Sequence, residues 1–351
     1  MLLSIVLVDE ITPSNMLYAC SFGTQLLFDV SQVCCILLLL LIYKVVIPMF
    51  HPSLSSRYVF SRYLAVVLIL SSVSACAIDQ GGSVHRNDEP SVSQIVTVQD
   101  LASAIDQAEA LPSRSTLVVL DIDDTLLTAT EFFGSDKWYD WQRGRALSPN
   151  GEPLAIAEAD KVSCLFDTLG ISYEIAKNRP TQANMAGLVK QVNNDLLILT
   201  ARSSAYRAAT MRELSYNGLD FSDKALTPVN VGYHYDFTHG GRTANVSYVD
   251  GVFMVQGMDK GVMLLDLLAR TNRNYDAVLF VDDKTKNINN MAKAMENAGV
   301  DFYGFHYVKI DKTVSSAEVT QAQAAASDLT KLLNSHFADR AEMINDGKCA
   351  Y

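Results

Sequence analysis

The sequence lacks several motifs that identify common classes of enzyme. It contains no Walker phosphate loop, no G-x-G-x-x-G dinucleotide fingerprint, no G-x-S-x-G nucleophile elbow and no internal repeat. Its 6 cysteines form no C-x-x-C pair, and its 6 histidines do not match a zinc-ligand spacing. These absences exclude the usual nucleotide-binding, serine-hydrolase and zinc motifs as the basis of function.

Basic residues are also scarce. The chain has 28 Lys and Arg against 39 Asp and Glu, which gives a net charge of -11. The charges of residues 1–75 cancel, so the acidic excess belongs to the rest of the chain. An acidic body repels nucleic-acid phosphates, and we expect no nucleic-acid partner. Hydrophobic residues make up 49% of the 351 residues, which is enough for a large core and excludes wholesale disorder.

Residues 49–75 have the order of a secretory signal. Two arginines precede an apolar run over residues 64–70, and small residues follow up to Cys76. The tetrad that ends in Cys76 resembles a bacterial lipobox, in which the cysteine is lipidated after cleavage. The alternative is a short membrane anchor, but the apolar run is too short to cross ~30 Å of hydrocarbon. We therefore predict a lipoprotein signal peptide and lipidation at Cys76.

Residues 1–48 have two interpretations. Residues 33–48 are apolar apart from Lys44, and one interpretation is a membrane segment. A complete signal begins at Met49, however, and such a signal works only at an amino terminus, so residues 1–48 are interpreted as a leader or as upstream sequence translated in error.

Residues 76–95 are rich in Gly, Ser, Asp and Pro and are predicted to be a tether. Ala77 follows the lipidation site, where lipoproteins retained at the inner membrane usually carry Asp. We therefore expect a bacterial cell-envelope protein, an outer-membrane lipoprotein that faces the periplasm or the exterior. Cys164 and Cys349 are the cysteines left outside the leader and the lipidation site. They form a disulfide or remain separate thiols, and the sequence leaves both possibilities open.

The most informative stretch is residues 115–127, STLVVLDIDDTLL. A β-branched and leucine run of this kind predicts a parallel strand that is buried on both faces. The strand ends in Asp121, Asp123 and Asp124, and ligands of open α/β sheets bind at the carboxyl ends of strands. Alternation along the chain lets Asp121 and Asp123 face the same cleft. The alternative is an ordinary strand followed by an acidic turn and a helix cap.

Three further segments place polar residues at strand ends or helix starts. An apolar run over residues 196–199 ends at Thr200, and Lys260 precedes an amphipathic helix. Another apolar run over residues 277–281 ends at Asp282 and Asp283. Taken alone, Thr200 would be a helix cap and Lys260 a solvated surface residue.

Taken in order, these four motifs resemble the haloacid dehalogenase-like hydrolase superfamily, in an uncharacterised bacterial branch. The layout also resembles that of outer-membrane lipoprotein acid phosphatases, although those usually have Glu at the position of Asp124. The resemblance implies an α/β fold with a Rossmann-like parallel sheet. We expect the domain to span residues 96–351, with a mostly helical cap inserted at about 128–194 and a small β-hairpin around Asp250 and Gly251.

The resemblance also implies the roles of the site residues. Asp121 would be the nucleophile and Asp123 the general acid/base, while Thr200 and Lys260 would contact and neutralise the phosphoryl group. A Mg²⁺ ion would be held by Asp121, the backbone carbonyl of Asp123, and Asp282, with Asp283 as a further or alternate ligand.

The expected partner is a small-molecule phosphate ester, with membrane attachment through the lipid anchor. Trp138 is a candidate substrate contact, although aromatic residues in an insertion more often form its core. Arg202 would hold a second substrate anion or form a structural ion pair. The leading function is a Mg²⁺-dependent phosphatase for small phosphomonoesters. The alternatives are a catalytically silent binding protein on the same scaffold and a phosphotransferase, and the sequence leaves the oligomeric state open.

Overall fold

The strand at the centre of the structure is β2, Thr116–Leu120, and all its side chains are buried. The structure is a computed structural model that describes residues 91–112, 114–228 and 230–350. β2 pairs in parallel with β5, Asp195–Thr200, on one side and with β9, Ala277–Asp282, on the other. Apart from Asp195, every residue of the two neighbouring strands is also buried, as expected at the centre of a parallel sheet that is covered on both faces.

The sheet has eight strands in the order β1-β10-β9-β2-β5-β8-β7-β6. Its other strands are β1 (Ser93–Val98), β6 (Tyr233–His239), β7 (Arg242–Val249), β8 (Val252–Met254) and β10 (Asp301–Tyr307). The strands from β1 to β8 in this order run parallel, and β7 and β6 extend the sheet with antiparallel pairing. This Rossmann-like α/β architecture confirms the predicted fold class.

Helices cover both faces of the sheet. They are α1 (Ala102–Ala110), α2 (Asp136–Gln142), α3 (Leu165–Ile175), α4 (Met185–Gln191), α5 (Arg207–Tyr216), α6 (Lys260–Thr271), α7 (Thr285–Ala298), α8 (Ser316–His336) and α9 (Ala338–Asn345). Successive side chains of β2 point to opposite faces, so Val118 and Leu120 join one apolar cluster while Leu117 and Val119 join another. Helices α1 and α4 contribute to the first cluster, and α6 and α7 to the second.

The segment between β2 and β5 forms a cap with its own small core. It contains α2, α3 and a two-stranded antiparallel sheet of β3 (Leu127–Ala129) and β4 (Asn178–Pro180). Trp138 and Trp141 are buried there with Phe132 and Leu169. Helix α4, which the sequence interpretation included in the 128–194 insertion, packs instead on the main sheet cluster through Met185 and Val189.

The carboxyl-terminal segment packs on the cap. Val314 and Ala322 join the cap cluster, and Lys137 of α2 forms a 2.8 Å ion pair with Glu318 of α8. A disulfide joins Cys164, just before α3, to Cys349, with the two Cα atoms 5.3 Å apart. Of the two possibilities for these cysteines, the structure has the bridged one.

The hairpin predicted around Asp250 and Gly251 joins β7 to β8. Both residues have positive φ, 47° and 80°, as a tight two-residue turn of this type requires. A Cβ on Gly251 would also lie 2.9 Å from the carbonyl oxygen of Phe221, so the turn leaves no room for a larger residue. The hairpin is therefore confirmed, and it is part of the main sheet.

The first strand begins before the domain boundary placed at residue 96. Residues 93–95 of the predicted tether belong to β1, which pairs in parallel with β10 at the sheet edge. The signal peptide, the lipidation site Cys76 and the rest of the tether up to residue 90 lie outside the described residues. Within residues 91–350, apart from the undescribed 113 and 229, no helix combines the length and the apolar character that a membrane span needs.

Candidate active site

Three charged side chains from separate elements meet at the carboxyl edge of the sheet. Asp121 follows β2, Asp282 ends β9 and Lys260 begins α6. The Lys260 Nζ lies 2.7 Å from a carboxylate oxygen of Asp121 and 2.7 Å from one of Asp282. All three are buried, with side-chain exposures of 7%, 0% and 1% for Asp121, Asp282 and Lys260. The site therefore holds two carboxylates around one cation, away from solvent.

The start of α6 fixes the position of Lys260. The Asp259 side chain caps the helix by accepting hydrogen bonds from the backbone N–H groups of Gly261 and Val262. A Cβ on Gly261 would lie 2.6 Å from the Cβ of Ala294 and 2.8 Å from the carbonyl oxygen of Asn290. Only glycine lets α6 approach α7 this closely, and this contact sets where Lys260 enters the site.

The positions of Asp121 and Asp282 are also fixed by hydrogen bonds. The backbone N–H of Asp121 donates to the carbonyl of Val281 at 3.0 Å, which continues the pairing of β2 with β9. Asp282 accepts from the backbone N–H of Lys284 at 2.8 Å and from the Asn287 side chain at 3.0 Å. Both acids are therefore held in place before any ligand arrives.

Burial governs the protonation of this group. It raises the pKa of Asp121 from 3.8 to about 7, with Lys260 opposing the shift. Burial alone would lower the pKa of Lys260, but Asp121 and Asp282 together raise it to about 12. Lys260 thus remains a cation at neutral pH and stabilises the ionised form of Asp121.

Asp283, the residue after Asp282, has two buried carboxylate oxygens, of which Oδ1 has no partner among the described residues. Its Oδ2 lies 2.6 Å from the ammonium of Lys312. Burial raises the pKa of Asp283 well above its ordinary value. Ligand atoms of Asp121, Asp282 and Asp283 all lie within 4.8 Å of one another, so these clustered acids could bind a metal ion.

Asp123 faces a different partner. It accepts two hydrogen bonds from Arg202, at 2.7 Å from Nη2 and 3.0 Å from Nε. Arg202 also donates to the hydroxyl of Thr210 at 3.0 Å and lies over the ring of Tyr173, 4.3 Å from its centroid. Of the two roles considered for Arg202, the structure contains the ion pair. The metal contact expected from Asp123 involves its backbone carbonyl and stays a prediction.

Thr200 lies at the end of β5 and is fully buried. Its hydroxyl accepts a 3.2 Å hydrogen bond from the backbone N–H of Arg202. Thr200 thus binds the backbone of Arg202, while Asp123 binds its guanidinium group. Thr200 lies at the same sheet edge as Asp121.

A second charged network, which the sequence reasoning missed, adjoins Asp283. The ammonium of Lys312, in the loop after β10, contacts Asp124 and lies 3.0 Å from Asp136 of the cap. Lys284 lies 2.9 Å from the other oxygen of Asp136. Although burial raises the pKa of Asp136, the two lysines lower it to about 2. The network therefore ties the cap to the sheet edge through ionised groups.

A cavity of about 560 Å³ opens beside Asp123 and Arg202. Its walls come from the cap, from the residues after β5 and from the segment before α6. Trp138 does not contribute to these walls, because it is 1% exposed and packs in the cap core, with its ring centroid 4.9 Å from that of Phe133. The structure thus places Trp138 in the core of the cap and Arg202 at the cavity.

Comparison with known proteins shows which family the chain belongs to. No curated protein matches the chain. A solved structure described as "Phospho-Aspartyl Intermediate Analogue of Phosphoserine phosphatase" is 12% identical, with a TM-score of 0.27, over 59% of this chain and 98% of its own. A family model matches residues 94–339, which include the cap and the whole eight-stranded sheet apart from the first residue of β1. The chain therefore belongs to the family described as "Protein of unknown function (DUF2608)".

Proposed function

We propose that this protein is a Mg²⁺-dependent phosphatase of the haloacid dehalogenase-like superfamily, which hydrolyses small phosphomonoesters through an aspartyl-phosphate on Asp121. The observation that carries the proposal is the buried contact of Lys260 with Asp121 and Asp282, at 2.7 Å each, at the carboxyl edge of a parallel sheet. A carboxylate nucleophile next to a fixed cation suits attack on an anionic phosphoryl group.

The donor set fits a hard divalent cation. Asp121, Asp282 and Asp283 offer only oxygen ligands, and the buried Oδ1 of Asp283 has no partner among the described residues. These three carboxylates, with the backbone carbonyl of Asp123, are the proposed holders of Mg²⁺. When bound, the ion would supply positive charge that offsets the charge on the phosphoryl oxygens.

The first half of the proposed reaction forms a covalent intermediate. A carboxylate oxygen of Asp121 attacks phosphorus, and the bond between phosphorus and the leaving oxygen breaks. Asp123 donates a proton to that leaving oxygen, so the product departs as a neutral alcohol. Lys260 favours the ionised form of Asp121 and orients it, because its ammonium lies at hydrogen-bonding distance from one Asp121 oxygen.

The second half regenerates the enzyme. Asp123 takes a proton from a water molecule, the water oxygen attacks phosphorus, and the bond between phosphorus and Asp121 breaks to release phosphate. The bidentate contact with Arg202 fixes the orientation of the Asp123 carboxylate at the cavity. Thr200 is proposed to hydrogen-bond a phosphoryl oxygen, since its buried hydroxyl lies at the same sheet edge as Asp121.

A substrate panel tests the proposal directly. Nucleotides, sugar phosphates and aryl phosphates are assayed for phosphate release with Mg²⁺ and with EDTA, using the wild-type protein and Asp121→Asn. We expect Mg²⁺-dependent release by the wild type and none by the variant, because an amide cannot act as the nucleophile. Release that survives in Asp121→Asn would refute the nucleophile, and a silent wild type would favour a binding role for the scaffold.

We further propose that the domain is exported to a bacterial cell envelope and anchored by lipid at Cys76. The Cys164–Cys349 disulfide supports export, because such bonds persist in oxidising compartments. Labelled palmitate should enter the wild-type protein and not Cys76→Ala. Equal labelling of both would refute the anchor.

A further inference from the structure

The cavity beside Asp123 is larger than a phosphoryl group requires. Its volume of about 560 Å³ lies within the range of ~300–1,000 Å³ that is typical of pockets for whole small molecules. Asp123, the proposed acid/base, and Arg202 line the cavity together with residues of the cap, of the segment after β5 and of the segment before α6. Most of the space is therefore available to the leaving group of a substrate.

One wall of the cavity is aromatic. It is formed by Tyr139, Phe166, Tyr173 and Tyr206. The rings of Tyr139 and Phe166 lie 6.2 Å apart, and those of Tyr173 and Tyr206 lie 5.1 Å apart. Phe166 is 43% exposed although it is a large apolar side chain, so its surface is available for a ligand. Such a wall favours contact with a planar ring.

The charged lining of the cavity is mostly basic, in a protein that is acidic overall. Two acids, Asp123 and Asp136, are outnumbered by four bases, which are Arg143, Arg202, Arg242 and Lys284. Three of these bases already have partners. Arg202 binds Asp123, Lys284 binds Asp136, and Arg242 donates to backbone carbonyls of residues 256 and 257.

Arg143 is the exception. Its side chain is exposed and forms no hydrogen bond or ion pair with any of the described residues, and it follows α2 at the cavity wall. A guanidinium group binds carboxylates and phosphates through two parallel hydrogen bonds. A free arginine beside an aromatic wall therefore points to a ligand that carries both a ring and an anion.

We propose that the leaving group of the substrate carries a planar ring and a second anionic group, and that Arg143 binds this second anion. The proposal rests on the phosphatase function proposed above, and it names the class of substrate. The second anion is a carboxylate or a phosphate, since both present the same pair of oxygens to a guanidinium group.

Binding of phosphonates tests the proposal without requiring turnover, because a carbon–phosphorus bond resists hydrolysis. The probes are benzylphosphonate, 4-carboxybenzylphosphonate, 1,4-xylylene bisphosphonate and cyclohexylmethylphosphonate, titrated into the full chain with Mg²⁺ by calorimetry. We expect the two probes with a second anion to bind about tenfold more tightly than benzylphosphonate, the value expected for one added charged hydrogen-bonding contact. Cyclohexylmethylphosphonate should bind more weakly than benzylphosphonate.

The variant Arg143→Gln should remove the preference for the second anion. The matched control is Lys161→Gln, which removes an exposed cation of the cap. Among the described residues, Lys161 pairs with Glu158 alone and does not line the cavity. This control should keep the preference of the wild type. A larger loss for the carboxylate probe than for the bisphosphonate probe would identify the second anion as a carboxylate, and the reverse would identify a phosphate.

The outcomes separate this inference from the proposed function. Equal binding of benzylphosphonate and both doubly anionic probes, or a preference that survives in Arg143→Gln, would overturn the inference. Equal binding of the cyclohexyl and benzyl probes would overturn its aromatic part. A clear preference in a protein that hydrolyses no phosphomonoester would support the ligand class and refute the phosphatase. Absence of binding by every probe would overturn the inference, while phosphate release from the substrate panel decides the phosphatase function separately.

Discussion

Replacing Lys260 with methionine should destabilise the fold strongly. The ammonium of Lys260 is 1% exposed and lies 2.7 Å from both Asp121 and Asp282, which are themselves buried. Methionine retains much of the volume but leaves two buried carboxylates without their cation. Removing one partner of a buried ion pair typically costs about 3–5 kcal/mol, and we expect a loss in this range for the free energy of unfolding. The pKa of Asp121, already raised to about 7 by burial, should rise further.

Urea unfolding of the wild type, Lys260→Met and Lys331→Met measures the effect. Lys331 lies on α8, and its ion pair with Asp328 is exposed, at 72% and 75%. Loss of an exposed pair changes stability by less than about 1 kcal/mol, so Lys331→Met should unfold almost as the wild type does. Mg²⁺ should recover part of the stability lost in Lys260→Met, because a divalent cation would neutralise the same carboxylates. Equal midpoints for Lys260→Met and the wild type would refute the reasoning.

Two further predictions concern residues next to the Lys260, Asp121 and Asp282 group. The pKa of Asp136 is lowered to about 2 from 3.8, so its stabilising effect is present above 3.8 and is lost as the pH falls through 2. Asp136→Asn should therefore lower the free energy of unfolding by about 2 kcal/mol at neutral pH, and this difference from the wild type should disappear in acid. Urea unfolding at several pH values measures it, and a difference that is the same at every pH would contradict the prediction. Gly261→Ala should cost about 1–3 kcal/mol and lower activity, because the new Cβ would lie 2.6 Å from that of Ala294. An unchanged unfolding midpoint would show that α6 can shift away from α7 freely.

The sequence predicted the fold class well because its strongest signals are local. Apolar runs that stop at polar residues mark buried parallel strands, and the carboxyl ends of such strands meet at one sheet edge. Asp121 and Asp282 are far apart in the chain, yet each follows such a run, and this pattern alone predicts that they lie at the same edge. Lys260 followed from its position before an amphipathic helix and from the resemblance to a known superfamily.

The contact of Lys312 with Asp136 and the edge strand β1 could not be predicted from a local sequence pattern. Lys312 and Asp136 lie 176 residues apart, in loops and at a helix start, and no periodic pattern links them. The edge strand β1 is mostly exposed, so it lacks the apolar run that identifies β2. Lys312 could have been named from the sequence as a candidate for a buried ion pair. Its partners could not, because they depend on how the cap and the carboxyl-terminal segment pack.

Trapping the phosphorylated form of Asp121 tests whether this residue is the nucleophile. The protein is mixed with a phosphomonoester that it turns over, quenched in acid and reduced with borohydride, which converts an acyl phosphate on aspartate to homoserine. Peptide mass spectrometry then locates the change. We expect homoserine at residue 121 and nowhere else in the chain, and no homoserine in Asp121→Asn. Turnover without any modification at residue 121, or with modification at another acid, would contradict it.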